Sequence, residues 1–161
     1  MPVDPVKAEL ADGAGLLNGI LAEHFMDNPR IMIISSEQHE ALAGDLSGSR
    51  IQIIRGIADK LGSDATLIVT LHSLRQREGD KYSSDTPTSL AFKYHLIRSA
   101  DGQAVCTGSF DETQEALTDN ILKLKSAIKR GFKWISVEDL AREAFKSKFA
   151  SCPALSRKEA K

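Results

Sequence analysis

Apolar residues return every three to four positions at Leu10, Ala14, Leu17, Leu21 and Phe25, the spacing that lays one stripe along an α-helix. The stripe predicts a first helix over Val6–Met26. Gly13, Gly15 and Gly19 each weaken it by up to ~1 kcal/mol relative to alanine, so it must lean on packing. Asp27-Asn28-Pro29 stops it, because the residue before proline avoids helical geometry. The run Ile31-Met32-Ile33-Ile34 then breaks the period, and an unbroken apolar run predicts a central strand, Arg30–Ser35, covered on both faces.

Ser35 with Gln38, and Ser49 with Gln52, have capping-box spacing. They predict a short helix through Ala43 and a second through Leu61, ended by Gly62 in left-handed geometry. Ile51, Ile54, Ala58 and Leu61 form the expected inner stripe of the second. Ala65–Arg75 is rich in β-branched residues and reads as a strand. A strand, a helical crossover and another strand would set Arg30–Ser35 parallel to Ala65–Arg75.

Gln76–Thr88 is polar, aperiodic and broken by Gly79 and Pro87, the pattern of an exposed flap. Leu90, Phe92, Tyr94 and Leu96 then alternate with Ala91, Lys93, His95 and Ile97 in period two. Asp101-Gly102 turns the chain into Gln103–Phe110 and makes a hairpin. Two helices close the chain. One covers Asp119–Arg130, ended by Gly131, and one runs to Phe149 from a Ser136/Asp139 box with Leu140, Ala144, Phe145 and Phe149 inward. Residues 1–153 thus form a single α+β domain, with residues 154–161 a frayed polar tail. Its mixed four-stranded sheet has one parallel crossover and an antiparallel meander, packed with helices.

The 161 residues suit one core, and the longest apolar runs fall far short of the ~20 residues a bilayer requires. Charge is unevenly spread: residues 1–120 carry net -8 and residues 121–161 net +7. That basic end would attract an anionic partner if its lysines do more than solvate two helices. Cys106 and Cys152 read as two buried thiols, although sequence leaves pairing open, and their spacing excludes a zinc ribbon or a CxxC pair. Met1-Pro2-Val3-Asp4-Pro5 lacks the basic start and apolar segment of a signal peptide, which suits a cytosolic chain or one trimmed of its leader.

Four segments taken together resemble a family: Ala65-Thr66-Leu67-Ile68-Val69, Asp85-Thr86-Pro87-Thr88-Ser89-Leu90-Ala91-Phe92, Gly108-Ser109-Phe110-Asp111-Glu112-Thr113-Gln114 and Lys129-Arg130-Gly131-Phe132-Lys133-Trp134. Residues 30–150 are similar to bacterial envelope proteins related to the amino-terminal domain of TolB, to the curli-secretion lipoprotein CsgG and to the penicillin-binding-protein activator lipoproteins. The resemblance implies a TolB N-terminal-like fold and an exported protein. It also implies a tether to the outer membrane through an upstream lipidated cysteine, and a non-enzymatic role in contacting or assembling envelope components. Two features depart from the pattern. No lipobox cysteine precedes Pro2, and Cys106 stands where relatives tend to carry an aromatic residue.

Little in the chain reads as reactive chemistry. His24, His39, His72 and His95 fall in four elements without metal-ligand spacing, although His72 and His95 could face each other across adjacent strands. Asp111 and Glu112 are consecutive, so an extended strand sends them to opposite faces, which disfavours an acid/base pair. Asp111 suits capping of a turn towards Asn120. Gly108, Phe110, Asp111, Glu112 and Gln114 are therefore expected to be structural. No nucleophile elbow or phosphate-binding loop occurs, and no metal or cofactor is expected.

The expected function is a non-enzymatic envelope interaction or assembly protein, with a protein or anionic lipid as partner. Candidate surfaces are a sheet edge, the Gln76–Thr88 flap, or a basic face of Lys123, Lys125, Lys129, Arg130 and Lys133 beside Trp134. The alternative is a cytosolic nucleic-acid-binding module using those same basic residues, disfavoured because aromatics make up only 6% of the chain. A hydrolase ranks last. It would need Asp111, Glu112 and a histidine to converge in one pocket.

Overall fold

The computed structural model describes residues 1–76, 88–113 and 135–156. Strand β1 (Asp4–Pro5) leads through a 3-10 turn (Ala8–Leu10) into helix α1 (Ala11–Phe25). Helices α2 (Ser36–Ala43) and α3 (Arg50–Leu61) follow, then strands β2 (Ala65–Arg75), β3 (Ser89–Arg98) and β4 (Ala104–Thr113), and helix α4 (Val137–Ala150). The sheet order is β1-β2-β3-β4, with β1 parallel to β2 and the other pairs antiparallel. This is the expected α+β fold with a mixed four-stranded sheet.

The period-two pattern decides which face of the sheet is covered. Leu67 pairs with Leu96, Val69 with Tyr94 and Leu71 with Phe92, and all six turn towards α1 and α4. Leu17 of α1 and Leu140 and Phe145 of α4 are fully buried against them. Ile68 and Ile97 point the other way and pack on Ile54 of α3. The sheet is thus covered by two helices on one face and by α3 on the other. Arg55 of α3 secures the hairpin turn, its Nε donating to Ser99 O and its Nη2 to Ala100 O, both at 2.8 Å.

Local signals place the helix starts closely. Both expected capping boxes form, at Ser35 with Gln38 and Ser49 with Gln52. Gly62 ends α3 at φ 63°, the left-handed geometry glycine adopts without a Cβ penalty. At Ser136 only half of the box exists: its hydroxyl accepts from Asp139 N, while the Asp139 carboxylate lies 3.5 Å from Arg142. An aspartate is one methylene shorter than the glutamate a full box uses.

Several expectations need correction. Arg30–Ser35 is not a strand. The parallel neighbour of β2 is β1, and Val6, expected to open the first helix, instead extends this pairing by donating its N–H to Leu71 O at 3.0 Å, so that α1 begins only at Ala11. Pro5 favours this extended path, because a proline suits a sheet edge and resists helix interiors. With the edge of β2 taken, Ile31–Ile34 lies outside the sheet, leaving Met32 55% and Ile33 46% exposed.

The inner stripe of α3 is Ile54, Ile57 and Ala58, whereas Ile51 is 38% exposed at the start of the helix. Packing also continues past Pro153. Leu155, expected in the polar tail, is buried in the main core and its N–H donates to Cys152 O.

Candidate interaction surface and the braced sheet edge

Among the described residues β4 is one of the two outer strands of the sheet, so its backbone and alternating side chains form one margin of the sheet. Cys106, Gly108, Phe110 and Glu112 turn inward, while Val105, Thr107, Ser109 and Asp111 are exposed. Three contacts hold this margin to the core. Phe110 stacks on Phe92 with ring centroids 5.6 Å apart. Tyr94 crosses over Gly108, and a Cβ there would lie 2.5 Å from Tyr94 Cε1 and 2.8 Å from its hydroxyl oxygen. The same hydroxyl donates to Lys148 O of α4 at 3.0 Å, so the ring is fixed from both sides.

The third contact is a disulfide between Cys106 and Cys152, whose Cα atoms lie 6.0 Å apart. It corrects the expectation of two buried thiols. The separation of 46 residues hides the pairing in sequence, because β4 and the end of α4 meet only in the fold. Around the bridge, Tyr94, Phe25, Phe145 and Phe149 form one aromatic cluster, with Phe145 and Phe149 stacked at 5.3 Å. The even cysteine count was the available signal for the bridge. The Gly in Gly108-Ser109-Phe110 was the signal for the Tyr94 crossing.

The expected chemical residues do not converge. His95 pairs with Ile68, whereas His72 sits at a β-bulge between Leu71 and Ser73, about four residues further along β2. The two therefore do not face each other. Asp111 pairs with Ala91 and Glu112 with Leu90, on opposite faces of β4 as the alternation requires. Asp111 is an exposed strand residue, and the turn it was expected to cap, towards Asn120, lies outside the described residues. Among the described residues no group of three or more His, Cys, Asp or Glu is placed to hold a metal ion.

Lys123, Lys125, Lys129, Arg130, Lys133, Trp134 and Gln114 lie outside the described residues, as does the Asp119–Arg130 helix. Most of the Gln76–Thr88 segment does too, but both of its ends are anchored. Gln76 Oε1 accepts from Val137 N at 3.2 Å, and Thr88 is fully buried with its hydroxyl 3.5 Å from Ile135 O.

Electrostatic perturbations among the described residues are few. The backbone N–H of Gln103, together with Arg98, holds the Asp101 carboxyl below the usual carboxylate range, which fits a turn-stabilising role. The Ser35 hydroxyl does the same for Glu37. Burial pushes the Met1 amine down to about 6, although it donates to Leu67 O at 3.3 Å. That amine borders a half-open cavity of about 530 Å³ between α1, α3 and the Ile31–Ile34 segment, which the sequence did not reveal. No helix among the described residues is long and apolar enough to cross a membrane.

Neither a known sequence family nor a curated protein matches the chain. Solved structures do. The hypothetical protein CT253 from Chlamydia trachomatis aligns with a TM-score of 0.54 at 8% identity, over 94% of this chain and 91% of that one. The PelC dodecamer from Paraburkholderia phytofirmans gives 0.50 at 13% identity, over 89% and 80%. The chain shares their fold. Lipoprotein GNA1162 from Neisseria meningitidis aligns more loosely, with a TM-score of 0.37 at 18% identity over 82% and 94%. The similarity to CT253 and PelC is therefore one of fold, without similarity at the level of sequence.

Proposed function

We propose that this chain is a non-enzymatic interaction or assembly protein of the bacterial cell envelope, working in the periplasm and tethered to the outer membrane through a lipidated cysteine outside the described sequence. The observation that carries the compartment is the Cys106–Cys152 disulfide. Structural disulfides persist in oxidising spaces such as the periplasm and are rare where thioredoxin and glutathione keep thiols reduced. The same bond weighs against the cytosolic nucleic-acid reading. The fold shared with PelC, a dodecamer, supports a role built on protein contacts.

The surface that best fits such a role is the margin made by β4. Edge strands can accept an added strand through main-chain hydrogen bonds, which gives affinity without a dedicated pocket. A disulfide that ties this strand to α4 preorganises it, so less freedom is lost when a partner pairs along it. Photo-crosslinking in cells tests this reading, with the crosslinker placed in turn at Val105, Thr107 and Ser109, and at Asp59 of α3 as control. The proposal expects a discrete envelope-protein adduct from the β4 positions and none from the control, in the outer-membrane fraction. Adducts only to nucleic acid or cytosolic proteins would overturn it.

A further inference from the structure

We propose that the cavity beside the Ile31–Ile34 segment is a binding site for a single unbranched lipid chain bearing an anionic head, an inference independent of the envelope role. Its volume of about 530 Å³ lies within the ~300–1,000 Å³ usual for small-ligand sites. Apolar side chains make the greater part of the wall: Leu21 and Phe25 from α1, Ile57 and Leu61 from α3, Leu67 from β2 and Leu155 from the C-terminal segment, with Ser63 and Thr66 among the polar members. Water held against the apolar part of the wall gains few hydrogen bonds. An apolar occupant would exchange that water for contacts.

Two further observations narrow the ligand. Met32 and Ile33 border the cavity and are also 55% and 46% exposed, so one side of the mouth is apolar. A wholly polar ligand would gain nothing from such a rim, whereas a chain leaving a micelle or membrane stays in apolar contact as it enters. The rim also has freedom to adapt, since Met32, Ile33 and Ile34 take part in no backbone hydrogen bond with the described residues. Arg30 stands at the start of this segment and also borders the cavity. Its Nη2 donates to Ser156 O at 3.4 Å, and a guanidinium has five N–H donors, leaving others to meet a carboxylate or phosphate. Asp64 is on the lining as well, so the preference for an anionic head rests on Arg30 and is modest in size.

The test is titration of the full chain with 11-(dansylamino)undecanoate, below its critical micelle concentration, followed by competition with dodecanoate and with dodecyltrimethylammonium. The proposal expects saturable one-to-one fluorescence enhancement, displaced by dodecanoate and at least about threefold less well by the cation, the scale of one exposed ion pair. Ile31→Trp fills the mouth from a segment outside the sheet and should weaken the probe about tenfold or more, with the thermal midpoint retained. Arg30→Gln should abolish the preference for the anion while leaving chain binding intact. Absence of saturable binding would overturn the proposal, as would equal binding by Ile31→Trp or a preference for the cation. Amide exchange supplies a check that needs no variant. Exchange at Met32–Ile34 as slow as in β3, without ligand, would show that these residues themselves close the cavity as a strand, and would also overturn it.

Discussion

Replacing Cys106 and Cys152 together with serine removes a cross-link between residues 46 apart in sequence. The chain-entropy relation for a loop of that size gives about 4 kcal/mol at 25 °C, lost mainly because the unfolded chain regains freedom. A second cost comes from the folded side. Cys152 is 1% exposed beside the aromatic cluster, so its serine hydroxyl must find a partner there or lose hydration. Replacement by alanine avoids that cost and isolates the cross-link. Urea unfolding of the oxidised chain, of the same chain under reductant, and of the double alanine variant measures the difference. The two unbridged forms should lie close together, each about 3–5 kcal/mol below the oxidised form. Their denaturant slopes should be steeper, because an unbridged chain exposes more surface on unfolding. Oxidised and reduced chains with the same midpoint would refute the reasoning, since the bridge would then constrain nothing.

Three other perturbations probe separate parts of the account. Gly108→Ala drives a methyl into the Tyr94 ring, which is fixed by Lys148 O, and should cost about 1–3 kcal/mol, as overpacked cores do; a neutral or stabilising result by chemical denaturation would deny the crossing. Gly62→Ala forces a side chain into φ 63° at the end of α3 and should cost ~1 kcal/mol, so an unchanged thermal midpoint would contradict that geometry. In the isolated 161-residue chain, whose Met1 amine is free, burial lowers that amine from 8.0 to about 6, so the unfolded chain holds more protons between those values and stability should rise with pH across that window, by roughly 2–3 kcal/mol in total. Acetylating the amine should flatten that rise, and identical pH profiles for free and acetylated chains would exclude the effect.

Features set by neighbouring residues were the most legible in the sequence. Ser35 with Gln38 and Ser49 with Gln52 act within one turn, and both boxes form. The alternation of Leu90, Phe92, Tyr94 and Leu96 identifies the buried face of β3, and Asp101-Gly102 places the hairpin turn, with Gly102 at φ 74°. Features that depend on distant residues were not legible. The run Ile31–Ile34 reports an affinity for apolar surroundings, but which segment occupies the edge of β2 is a competition, and Asp4–Pro5 holds it. Cys106 and Cys152 meet only because α4 ends above β4. Tyr94 lies over Gly108 through the cross-strand register, and two-letter periodicity carries no register. The candidate surface was legible only as a class, a sheet edge. Its bracing came from the fold.

Thiol trapping in the native cell bears most directly on the central claim that this is a disulfide-braced scaffold of an oxidising envelope compartment. Cells are quenched in acid, and the denatured protein is treated with a high-mass maleimide before and after reduction. The account predicts no gel shift before reduction and a shift by two adducts after it. Two adducts on the unreduced protein would place Cys106 and Cys152 as free thiols and contradict both the bracing and the compartment.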